Sequence, residues 1–106
     1  MDNREHGEGW PVDLDEIPGS EIVSPGLRDL RDGIITINSL LVLIAGPRLR
    51  RLGFEVPDLP VERPIEHRLY SLLEDEFGIG AYSRFNSLIR RIVSFSRALE
   101  RERACQ

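Results

Sequence analysis

Lysine is absent from this 106-residue chain, and all of its basic residues are arginine. Codon usage in a GC-rich genome produces that bias without a functional cause, yet the chemical consequence is the same. Arginine's planar guanidinium grips carboxylates and phosphates through paired hydrogen bonds, and its charge does not titrate away. Cysteine occurs once, at Cys105, which excludes an intrachain disulfide framework and leaves too few sulfurs for a structural zinc site. The histidines are His6 and His67. Pro64 stands three residues before His67, so the Glu-x-x-His pair of di-iron bundles is missing. Gly78-Ile79-Gly80 lacks both the third glycine and the preceding strand of a phosphate-binding loop. No metal or cofactor is expected. The longest apolar run, from Ile34 to Ala45, is interrupted by Thr36, Asn38 and Ser39 and falls short of the roughly 20 residues a membrane span needs. Met1 to Glu8 is polar with no apolar stretch behind it, unlike a signal peptide. A cytoplasmic location in a reducing compartment is the expectation.

What is present is an ordinary globular composition, 41% hydrophobic and 30% charged, with a formal net charge of -4. The charge is unevenly spread. Asp2, Glu5, Glu8, Asp13, Asp15, Glu16 and Glu21 face only Arg4 in the first twenty-one residues, whereas arginines outnumber acids in the remainder. Residues 1–24 also carry Gly7, Gly9, Pro11, Pro18 and Gly19 without periodicity, and read as an acidic, flexible segment ahead of a single helical domain at residues 25–106. Trp10 is the lone tryptophan and reads either as an anchor on a partner or as packing against the body.

The body reads as all-α, a small bundle of three main helices. Ser24-Pro25 is a good helix start. Leu27, Leu30, Ile34, Ile37, Leu41 and Ile44 then follow three-four spacing, which predicts one helix over about 25–45. Gly33 lies inside it and makes a break there the alternative. Gly46-Pro47 ends this helix, and a short basic turn over 47–52 is stopped by Gly53. A proline-punctuated connector follows, with Phe54, Val56, Leu59 and Val61 expected to pack across the helices. Helices over 64–77 and 81–103 complete the set. Ile65, Leu69, Leu72, Leu73 and Phe77 form one apolar face; Ala81, Phe85, Leu88, Ile92, Phe95 and Leu99 form the other, widened by Tyr82 and Ile89.

The leading expectation is a non-enzymatic protein-interaction module that binds another chain or itself as a homo-oligomer. Leu40 to Ala45 is apolar on every side, more than two other substantial helices should be able to cover, so either the proline-rich connector closes the gap or another chain does. Leu40 and Leu43 are therefore assigned to partner binding, with Arg48, Arg50, Arg51, Arg90, Arg97, Arg101 and Trp10 around them. A short, acidic, helical chain is similar in composition to the antitoxins of toxin pairs, though no motif carries that likeness. The first alternative is a nucleic-acid-binding regulator. Arg90, Arg97 and Arg101 project within about 40° of one another by the helical step. Arg84 and Arg91 form a second row, and Ser83, Ser87 and Ser94 lie between the rows. Ile37 to Gly53 also fits a helix-turn-helix with a truncated second helix. The second alternative is a small helical RNase or other hydrolase, with His67 helped by Glu66 or Tyr70. Helical RNases of the HEPN type pair an arginine with a histidine a few residues on. Here Pro64 replaces the polar residue that should follow Arg63, so no role is carried over.

Overall fold

The structure, a computed structural model, describes residues 17–104. Most of the acidic segment, with His6 and Trp10, lies outside them, as does Cys105. The domain is all-α, with no strand among the described residues. Its helices are α1 (Ser20–Arg31), α2 (Ile37–Ile44), α3 (Gly46–Arg51), α4 (Ile65–Phe77) and α5 (Ala81–Ala104). A 3-10 turn, Gly78–Gly80, joins the last two.

The helix expected over 25–45 is two helices, divided at Gly33. Gly33 has φ 74°, and its N–H donates to the Leu30 carbonyl at 3.1 Å while the Ile34 N–H donates to Asp29 at 2.8 Å. That pair of bonds is a Schellman motif, which satisfies the last carbonyls of α1 and turns the chain away. Three residues later Thr36 and Ser39 form a capping box. The Ser39 N–H donates to Thr36 Oγ1 at 3.0 Å, and the Thr36 N–H donates to Ser39 Oγ at 2.7 Å. The Thr36 hydroxyl also donates to the Asp29 carboxylate at 2.8 Å, tying the start of α2 to the end of α1. The two helices then fold against each other. Gly26 makes their close approach: a Cβ built on it would stand 2.6 Å from the Asn38 carbonyl oxygen.

The start of α1 also differs from expectation, lying at Ser20 rather than Ser24 and leaving Pro25 inside the helix. Proline there removes one backbone bond and crowds the turn before it, at a cost of about 3 kcal/mol. Ile22 and Val23 are buried by the extension, and burial of two such side chains offsets that cost at roughly 1.5–3 kcal/mol each. The Glu21 carboxylate fixes the position. It accepts from the Gly19 N–H at 3.1 Å and pairs with Arg91 of α5.

At the centre lies α2, packed by α1, α4 and α5, with α3 continuing from its end. Leu40, Leu41 and Val42 have no exposed surface. Leu49, Leu69, Leu73, Ile92, Phe95 and Leu99 complete the most deeply buried large apolar side chains. Gly53 closes α3 with a second Schellman pair, its N–H donating to Arg50 and the Phe54 N–H to Leu49, each at 3.0 Å. The connector packs as expected: Val56 is buried, and Phe54, Leu59 and Val61 lie against the core. Helix α4 starts after Pro64, which caps it in extended geometry, and α5 begins at Ala81 as the spacing predicts. No described helix is long and apolar enough to cross a membrane.

Candidate functional site

The apolar stretch assigned to partner binding is mostly the core of the chain itself. Leu40 is wholly buried and Leu43 is 6% exposed, so neither can meet a partner. The cause is the break at Gly33. A continuous first helix would have left α2 with too few neighbours, whereas the folded-back α1 covers the face that needed cover. Only Ile44 and Ala45 remain half-buried. With Pro47, Arg48, Arg51, Ile89 and Val93 they line a shallow groove of about 270 Å³ along α5.

The arginines separate into groups. Arg48 pairs with Glu100 at 3.5 Å, and Arg50 donates to the Val56 carbonyl at 2.8 Å, bracing the connector. Arg51 is exposed on the rim of the α5 groove. With six residues, a buried Leu49 and a tethered Arg50, α3 has little to offer as a recognition helix. Arg90, Arg97 and Arg101 are all exposed on α5, and none makes an ion pair among the described residues. Arg90 and Arg91, with Ser87 and Ser94, line a second groove of about 250 Å³ that Pro18 and Gly19 close. Arg91 is already paired with Glu21. Trp10 lies outside the described residues.

A larger surface lies outside the residues that the sequence assigns to binding. The exposed large apolar side chains of the described residues are Ile34, Ile35, Phe77, Ile79 and Tyr82. Ile34 and Ile35 lie on the α1–α2 connection, and Phe77, Ile79 and Tyr82 lie on or beside the turn between α4 and α5. Between these segments lies a groove of about 680 Å³, lined by Ile35, Ile37, Leu72, Phe77 and Leu88. Asp75 and Glu76 stand on its α4 side and Arg84 on its α5 side. The Arg84 guanidinium lies 4.1 Å from the Phe77 ring centre, a stacking contact worth about 0.5–1 kcal/mol at an exposed site. Ile79 is fully exposed and Tyr82 is 66% exposed. The signal in the sequence was Gly78-Ile79-Gly80 itself, because a side chain in the middle of so short a turn has nothing to pack beneath. Tyr82, expected to widen the core seam, is exposed instead; Tyr70 of α4 is half-buried, edge-on to Phe85 at 5.8 Å.

His67 is exposed on α4 and lines none of these grooves. Glu74, Asp75 and Glu76 are exposed at the end of that helix. Among the described residues no group of His, Cys, Asp and Glu could hold a metal ion. Fold and surface together define a small all-α domain with a closed core, an apolar end and an arginine-bearing outer helix. No protein-family model, curated protein or solved structure matches the chain.

Proposed function

We propose that this chain is a protein-interaction module that binds through its apolar end, and that the occupant of that end is a second copy of the chain. The supporting observation is that the exposed Ile35 and Phe77 line one groove, with Ile34, Ile79 and Tyr82 exposed next to them along the chain, while the other large apolar side chains of the described residues are at least half-buried. Grouped apolar side chains with a charged rim are the composition of a docking patch. The rim argues for self-association. A two-fold interface must be complementary to itself, and this groove carries acids on one wall and an arginine on the other. Two copies related by a dyad bring Arg84 of each towards Asp75 and Glu76 of its mate. The patch is small, so the association is weak, with a Kd on the order of 10–100 µM.

Exchanging the rim charges tests this. Arg84→Glu and Glu76→Arg, each alone, place like charges across the dyad and are expected to abolish the dimer with the helical circular dichroism unchanged. Mixing the two variants is expected to restore a dimer, measured by sedimentation or light scattering. Association of either variant at wild-type strength, or no recovery on mixing, overturns the reading.

A further inference from the structure

The arginine row on α5 has no occupant among the described residues, although acids elsewhere in the chain outnumber its charges. We infer that the acidic segment preceding Ile17 docks on this face of its own chain, its carboxylates engaging Arg90, Arg97 and Arg101.

The junction argues for this. Gly19 has φ 102° and lies so close to α5 that a Cβ on it would stand 2.8 Å from Phe95 Cβ and 3.0 Å from the Arg91 carbonyl oxygen. Its N–H is held by Glu21, which pairs with Arg91. Pro18 and Gly19 form one wall of the groove whose other wall is Ser87, Arg90, Arg91 and Ser94. The chain therefore joins the body flush against the basic helix. Residues 1–16 carry Asp2, Glu5, Glu8, Asp13, Asp15 and Glu16 against Arg4 alone. Asp13, Asp15 and Glu16 fall within four residues of Ile17, a reach of about 13 Å in extended chain. Arg97 is two helical turns beyond Arg90, about 10 Å along the axis. Reach and charge both match. Bidentate carboxylate–guanidinium contacts are the chemistry that an all-arginine face favours. Phosphate is the competing ligand of such a face, but nucleic acid would have to displace carboxylates tethered a few residues away, whose local concentration is high.

Trp10 supplies the readout, being the sole tryptophan of the chain. Acrylamide, an uncharged quencher, is applied to the full chain at 20 mM and 500 mM salt. Quenching of Trp10 is expected to rise about twofold at high salt, where screening reduces the Debye length to a few ångströms. The triple variant Arg90→Gln, Arg97→Gln, Arg101→Gln is expected to show the high-salt value already at low salt. So is the variant Asp13→Asn, Asp15→Asn, Glu16→Gln. The three arginines are exposed, and unchanged circular dichroism confirms that their replacement spares the fold. Quenching indifferent to salt and to both variants overturns the inference. Quenching that falls as the chain is concentrated also overturns it, assigning the face to the acidic segment of a second copy. Binding of a single-stranded DNA 20-mer by the wild-type chain at 150 mM salt, lost in the arginine variant, does so too, assigning the face to phosphate.

Discussion

Replacing Gly26 with alanine is expected to destabilise the domain by about 2–3 kcal/mol, against the helix propensity that favours alanine by about 1 kcal/mol. Gly26 lies where α1 crosses α2. An alanine Cβ there would meet Val42 Cγ2 at 2.5 Å and the Asn38 carbonyl oxygen at 2.6 Å. The valine methyl could swing aside, but the carbonyl belongs to the first turn of α2, which Thr36 and Ser39 hold in place. Relief therefore requires the helices to separate by several tenths of an ångström, and every side chain between them loses contact. For a domain of this size the thermal midpoint should fall by roughly 10–20 °C. An unchanged or raised midpoint would show that the crossing is looser than the structure has it.

Leu40→Ala is expected to cost about 3–5 kcal/mol, the upper part of the range for buried leucines. Leu40 has no exposed surface, and α2 is held from three sides, so little can collapse into the space. The effect should appear in urea unfolding as a lower midpoint with an unchanged slope. It should also be independent of protein concentration, because the side chain supports the fold of one chain. A loss below about 1 kcal/mol, accompanied by weaker self-association, would return Leu40 to the docking surface.

Those two positions also show what the sequence could and could not reveal. The ends of α4 and α5 and the cap at Gly53 were legible because each rests on a local signal: a proline at the start, a glycine at the stop, apolar residues spaced by three and four. The break at Gly33 was obscured because Leu30 and Leu41 both face the core. A stripe of that spacing is produced equally by one straight helix and by two that fold back on each other. Only the local chemistry separates the cases, namely Gly33 in left-handed geometry and the Thr36–Ser39 box. With α1 and α2 joined, Leu40 to Ala45 appeared to need an outside partner; once they are divided, α1 is the cover. The exposure of Ile79 and Tyr82 is not legible in the sequence, where position alone places them on the turn and the seam. Their exposure depends on where the 3-10 turn places them, which is a tertiary outcome.

The arginines divide on the same principle. Sequence spacing placed Arg90, Arg97 and Arg101 correctly on one exposed face, since helical geometry alone decides that. It could not say that Arg48 would meet Glu100 or that Arg50 would brace the Val56 carbonyl, because those partners come from other segments.

Sedimentation velocity of the wild-type chain and of Ile79→Asp, each from about 5 to 500 µM, tests the docking end most directly. Ile79 is fully exposed, so its replacement should change stability by less than about 0.5 kcal/mol. The wild-type sedimentation coefficient should climb from monomer towards dimer across that range, while Ile79→Asp stays monomeric throughout. A wild-type chain that remains monomeric at the highest concentration, or a variant that dimerises as well as the wild type, contradicts the account.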